Sequence, residues 1–137
     1  MYSTNARISI SSFNPKPNDR GYNFAILGEN IALHPDDDQS PLLSGTSYAA
    51  AIGAGLAAQL LDFVRQEDAR GIISKPDDLR RSDCMSAVFA KDGKERGYDC
   101  MMPWTLLETV DEDRHGRAEK SRLVCDTISR TPKGKYR

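Results

Sequence analysis

Histidine, cysteine and one-signed charge are all scarce in this chain, and each scarcity removes a class of function. Only two histidines, His34 and His115, stand among 137 residues. A zinc centre needs about four close nitrogen or sulfur ligands. Three cysteines at positions 84, 100 and 125, widely spaced and without a CxxC pair, do not supply them. Reduced, partly buried thiols are expected, with no metal and no cofactor. The balance of 19 basic and 20 acidic residues gives a net charge of -1, which implies no nucleic-acid footprint for the chain as a whole. Asp36-Asp37-Asp38 lacks the spacing and distal Glu of a calcium loop and reads as an exposed loop of like charges. No apolar segment of signal-peptide type follows Met1, from which a cytoplasmic location is expected. There is no internal repeat. A membrane span is excluded by length, because the apolar stretch from Tyr48 to Leu61 falls short of the ~20 residues a bilayer requires and is closed by Asp62 and Arg65.

What the sequence does have is Ser44-Gly45-Thr46-Ser47-Tyr48-Ala49-Ala50-Ala51, where a polar loop opens into a helix of small and apolar residues. Ser47 is thereby placed at a helix N-terminus. Unpaired backbone N–H groups and the positive end of the helix dipole point there, so negative charge developing beside the Ser47 hydroxyl would be stabilised. Ser47 is a candidate nucleophile; the competing reading is that Ser44, Thr46 or Ser47 caps the helix. From Tyr48 to Leu61 no charge interrupts the sequence, and a helix apolar on every side is buried on every side. Gly53 and Gly55 each cost roughly 1 kcal/mol in a helix interior, which suggests close backbone approach. A buried central helix from about Ser47 to Gln66 follows, in which Gly55→Leu would overpack by roughly 1 to 3 kcal/mol.

Ser44 to Ala58 resembles the active-site serine segment of the subtilisin-like serine proteases, Gly-Thr-Ser-x-Ala-x-Pro followed by a helix carrying Ala-Gly. Gly45, Thr46, Ser47, Ala49, Ala54 and Gly55 occupy the matching places. Ala51 stands where the family has proline in the first turn, a position where alanine can hold the same backbone. Ile52-Gly53 replaces the family's His-Val pair. Upstream, Arg7-Ile8-Ser9-Ile10-Ser11-Ser12-Phe13 is similar to the family's segment ending in Ser-Phe-Ser and starts with strand-like alternation. Phe24 to Leu33 is similar to the strand and turn reading Val-x-Ala-Pro-Gly-x-x-Ile, with Gly28 and Ile31 matching and Leu27 in place of proline. The resemblance implies an α/β fold: the C-terminal portion of a subtilase-type parallel-sheet domain with a buried central helix, incomplete at this length. It implies serine-type endopeptidase chemistry with Ser47 as the catalytic nucleophile, its backbone N–H as half of the oxyanion hole, and a protein or peptide as substrate.

The family's Asp and His-Gly-Thr-His segments belong upstream of the serine, and no such segments precede Ser47. His34, in Leu33-His34-Pro35-Asp36, lacks the flanking glycine and threonine and reads as a solvated loop histidine. Asn5, Asn14 and Asn18 sit in contexts unlike that of the oxyanion asparagine. The chain is therefore expected to be a fragment inactive alone, with further domains of a longer protein as partners, or a non-catalytic subtilase remnant serving as a scaffold or interaction module. A lesser alternative is an α/β-hydrolase, whose Gly-x-Ser-x-Gly elbow Gly45 to Ala49 nearly fits, with Asp99 or Asp111 and then His115 in that fold's order. The polar lead-in Asp38-Gln39-Ser40-Pro41 argues against the apolar strand such an elbow needs.

Beyond the central helix, Gly71 to Pro76 reads as a stop and connector. Asp77-Asp78 then precede Leu79, Cys84, Met85, Val88 and Phe89 at helical spacing, an amphipathic helix with acidic residues in its first turn. Tyr98 to Leu107 is an apolar anchor around the single tryptophan, Trp104. This helix followed by Tyr98 and Pro103-Trp104 is similar to the C-terminal part of intracellular fungal subtilase-domain proteins. The expected organisation is residues 1–70 with the nucleophile motif, 71–128 as a helical extension of the same domain, and 129–137 as a basic disordered tail.

Overall fold

The computed structural model describes residues 1–34, 36, 39–90, 94–102, 125–126 and 128–129. They belong to two compact units, Met1–Leu56 with Gly93–Met101, and Ala57–Asp92 with Met102–Arg137. Among the described residues six strands occur: β1 (Tyr2–Thr4), β2 (Phe24–Leu27), β3 (Ile31–Ala32), β4 (Leu42–Leu43), β5 (Lys94–Glu95) and β6 (Tyr98–Cys100). The first unit carries a four-stranded sheet in the order β1-β2-β6-β5. Its strands β1, β2 and β6 are parallel, in the register Tyr2↔Ala25, Thr4↔Leu27 and Phe24↔Asp99. This is the mixed α/β architecture expected from the sequence. β5 folds back antiparallel on β6 through Arg96-Gly97, both at positive φ, 51° and 89°. That pair of left-handed residues matches the twist of a two-residue hairpin.

Side chains alternate across the sheet, and the two faces bury different chemistry. On one face Ala25, Tyr98 and Cys100 are buried with Tyr2, Ile8 and Ile10 packed against them. Ala25 is small enough for the rings of Tyr2 and Tyr98, on the strands either side of it, to meet edge-on at 4.9 Å. Ile8 and Ile10 arrive by a different route from the alternating strand expected over residues 7–13. After β1 the chain reverses, with Asn5 Oδ1 accepting the N–H groups of Arg7 and Ser9, and Ile10 bridges antiparallel to Thr4. Ile8 takes φ 66° in this return, a conformation that β-branched residues rarely adopt, and burial of its side chain in the cluster offsets that strain.

The opposite face meets helix α1 (Thr46–Phe63). A Cβ built on Gly28 would lie 2.8 Å from both Ala49 Cβ and Ser3 Oγ, and one built on Gly53 would press on Met1 Cε. Four residues of helix rise about 6 Å and two residues of strand about 6.6 Å, so these paired contacts run α1 antiparallel to β1. Only Ala49 and Gly53 are buried in the helix, while Ala50, Ala51, Ala54, Gly55 and Ala58 are exposed. The expected all-round burial is corrected to a single stripe: alanine and glycine carry no charge wherever they point, so an uncharged run of them does not report burial. Gly55 has no neighbouring atom within 4 Å of where a Cβ would stand, and the overpacking expected there does not arise.

The second unit packs α2 (Glu67–Arg70), a 3₁₀ turn (Pro76–Arg80) and α3 (Ser82–Phe89) around Val64, Ala69, Ile73, Leu79, Val88 and Cys125. The helix expected across Asp77 to Phe89 is split in two. Arg81 is extended, at φ -80° and ψ 137°, and its guanidinium grips the Asp83 carboxylate by two hydrogen bonds of 3.1 and 2.9 Å. Among the described residues no helix is long and apolar enough to cross a membrane.

Candidate functional site

Ser47 is the second residue of α1 and is exposed. The first carbonyl to serve the helix is that of Gly45, which accepts from Tyr48 N–H at 3.1 Å and Ala49 N–H at 3.3 Å. Thr46 and Ser47 thus contribute amides to the first turn, where the helix has no carbonyls of its own to offer and the dipole is positive. Gly45 also keeps space open beside the hydroxyl. A Cβ there would stand 3.4 Å from Ser47 Oγ and 3.4 Å from the Tyr48 ring. Ala51 is the sixth helical residue, past the first turn expected for it, so a proline there would remove the bond to the Ser47 carbonyl one turn back.

The site stands at the carboxyl ends of parallel strands β1 and β2, where open α/β sheets characteristically place their ligands. Gly28 follows β2 directly. Its N–H donates to Thr4 O at 3.0 Å and its carbonyl accepts from Gly45 N–H at 2.8 Å. Between Gly28 and Gly45 the chain makes a hairpin, pairing Ile31↔Leu43 and Ala32↔Leu42. The hydroxyl of Ser44 accepts the Asn30 N–H at 2.9 Å across the base of that hairpin, so Ser44 serves the loop and does not cap α1. Beneath lies a polar chain in which the Ser11 hydroxyl donates to Glu29 Oε2 at 2.6 Å. The buried Ser3 hydroxyl lies 3.1 Å from Ser11 Oγ. These contacts across 8 to 18 residues were not signalled by any local motif.

The other residues singled out by sequence are placed away from Ser47 or lie outside the described residues. His34 is exposed beyond the last hairpin pair, with its N–H on Ser40 Oγ at 3.4 Å. The hairpin's two paired rungs, roughly 7 Å of strand, stand between it and the Gly28–Gly45 neck. Asp99 is buried and accepts the Asn23 N–H at 2.9 Å. It pairs with Phe24, at the opposite end of β2 from Gly28 and about 13 Å along the strand. Asp99 is therefore no triad partner for Ser47 in this arrangement, which removes one of the two aspartates open to the α/β-hydrolase reading. Asn14 gives both its amide atoms to the Ser3 backbone, Asn5 organises its turn, and Asn18 takes the Arg20 N–H. Asp37, Asp38, Trp104, Asp111, His115 and the tail from residue 130 are outside the described residues.

Electrostatic perturbation among the described groups belongs to the second unit. The Arg81 hydrogen bonds hold the Asp83 carboxyl below its usual range, and the same contact raises Arg81. Burial pushes the Cys84 and Cys125 thiols up. All three cysteines are free thiols, Cys84 half-buried and Cys100 and Cys125 buried. Among the described residues no three His, Cys, Asp or Glu side chains gather as metal ligands.

No family model matches the chain, and no solved structure matches it. Among curated proteins, the subtilisin-like protease het-Q2 of Podospora anserina is 36% identical over 58 residues, which cover 40% of this chain. The chain spans 16% of that relative's length. The likeness is to part of a subtilisin-like protease, and it supports a loose subtilase-like resemblance.

Proposed function

We propose that this chain supplies the nucleophile-bearing part of a serine endopeptidase centre of subtilisin-like type. The observation that carries the reading is Ser47 itself, exposed in the first turn of an 18-residue helix at the carboxyl end of a parallel strand, beside a glycine that leaves room at its hydroxyl. In that reading Ser47 Oγ attacks a peptide carbonyl as a histidine takes its proton, and the Ser47 N–H shares the developing oxyanion with an asparagine side chain. In the same reading the histidine, its aspartate and the asparagine are supplied to Ser47 from outside this segment, since no Asp or His-Gly-Thr-His segment precedes it here. An unassisted serine hydroxyl is a weak nucleophile, and losing triad members costs several orders of magnitude in rate. The chain alone is accordingly without peptidase activity.

The test is a hybrid enzyme. The part of the Podospora relative that aligns with Gly45-Thr46-Ser47 and its flanking residues is replaced by its counterpart here, and hydrolysis of a denatured protein substrate is followed. Hydrolysis that disappears on Ser47→Ala supports the reading. A folded hybrid that is inert, beside an active parent, contradicts it and favours the remnant scaffold.

A further inference from the structure

The 16 residues between Gly28 and Gly45 could transmit every hairpin movement to the helix start, because Ser47 stands two residues past the hairpin's closing glycine. Two hydrogen bonds prevent this by closing the loop at its base: Gly45 N–H to Gly28 O at 2.8 Å, and Asn30 N–H to Ser44 Oγ at 2.9 Å. The two are complementary. The first is backbone to backbone and survives any substitution short of proline; the second depends on one side chain reaching across 14 residues. Asn30 presents its N–H to Ser44 from the left-handed conformation, φ 59°, which asparagine tolerates better than most residues. Gly28 is in turn anchored by its N–H on Thr4 O, and Ala49 stands so near it that no Cβ would fit between them.

We infer that Ser44 is a positioning residue for Ser47: with Asn30, Gly28 and Gly45 it forms a latch that fixes the start of α1 on the sheet independently of the hairpin. The catalytic consequence rests on the peptidase reading of Ser47; the latch does not. Opening the latch leaves the base of the loop closed by the single bond from Gly45 N–H to Gly28 O, and the start of α1 then follows the hairpin. Threonine offers the same hydroxyl and restores the latch, whereas alanine does not.

The experiment has two arms. Amide hydrogen exchange followed by NMR on the 137-residue chain compares wild type, Ser44→Ala and Ser44→Thr. Exchange at Asn30 and Gly45 is expected to quicken at least tenfold in Ser44→Ala, to return to within threefold of wild type in Ser44→Thr, and to stay unchanged at Ile26 and Ala25 in the sheet. Unchanged Gly45 exchange, or an equal rise at every amide, overturns the latch. In the second arm the same substitutions are made in the hybrid enzyme, where Ser44→Ala is expected to lower kcat at least tenfold with KM within twofold, and Ser44→Thr to recover it. A matching fall in kcat for both variants, or a change in KM alone, overturns the positioning role. A wild-type hybrid without activity contradicts the peptidase reading, and the exchange arm then decides the latch by itself.

Discussion

Gly28→Ala and Gly55→Ala are the same chemical change at two glycines, one facing the helix–sheet contact and one exposed on α1, and they should move stability in opposite directions. Neither glycine uses a positive φ, so backbone strain enters at neither site. At position 28 the new methyl would stand 2.8 Å from Ala49 Cβ, 2.8 Å from Ser3 Oγ and 3.0 Å from the Ala49 backbone nitrogen. A backbone neighbour cannot rotate away, so the first turn of α1 must lift from the sheet. Overpacking of that kind costs about 1 to 3 kcal/mol. The stiffer unfolded chain returns about 0.4 to 1 kcal/mol. The net loss, at most about 2.6 kcal/mol and about 1.3 kcal/mol at the centre of the two ranges, corresponds to a melting temperature lower by about 4 to 5 °C at that centre in a chain of this size. At position 55 no atom lies within 4 Å of the new methyl, and exposed alanine is preferred over glycine inside a helix by about 1 kcal/mol. Thermal unfolding by far-ultraviolet circular dichroism reads both. Equal shifts, or a higher melting temperature for Gly28→Ala, would refute the packing of α1 on the end of β2.

Gly45→Ala should fold with a melting temperature within about 2 °C of wild type, since the 3.4 Å contacts are ordinary van der Waals distances. In the hybrid enzyme it should slow hydrolysis by crowding the Ser47 hydroxyl, as measured by kcat/KM. The 137-residue chain alone should show no fluorophosphonate adduct at Ser47 by peptide mapping; an adduct that vanishes on substituting His34 or His115 would point to a different triad. Iodoacetamide pulses should modify Cys84 before the buried Cys100 and Cys125. Because the Cys84 and Cys125 pKa values are raised, their protonated thiols are favoured by folding, and that contribution is lost as pH rises past the ordinary thiol range. The Asp83 pKa is depressed, so its contribution is present above the ordinary carboxylate range and lost as pH falls below it. Asp83→Asn should flatten the acid side of a stability-versus-pH curve measured by urea unfolding.

The start of α1 was legible because Gly45-Thr46-Ser47 combines a breaker, a polar turn and a following run of strong helix formers, all local signals. Its burial was not. Alanine is equally at home on either side of a helix, and only the sheet contacts at Gly28 and Met1 select Ala49 and Gly53 as the inward stripe. β1 gives no apolar alternation in Tyr2-Ser3-Thr4. Pairing with β2 makes it a strand, and its outer side is occupied by the Asn14 side chain and by Ser11 N–H on Ser3 O. β6 hides for a similar reason: Asp99 at its centre reads as exposed until the Asn23 N–H, 76 residues away, is placed beside it. The role of Ser44 depends on a partner 14 residues upstream, beyond the reach of helix-capping rules. Residues whose duty is local were thus readable, and those whose duty is set across the sheet were not.

The central claim is that Ser47 is a nucleophile awaiting a base. It is tested most directly by treating the hybrid enzyme with a fluorophosphonate and locating the adduct by peptide mass spectrometry. Near-stoichiometric labelling of Ser47 and of no other serine is expected, with a pH dependence that follows deprotonation of a histidine and with labelling abolished by Ser47→Ala. A folded hybrid in which Ser47 remains unlabelled, or in which Ser44 or another serine carries the adduct, would contradict it.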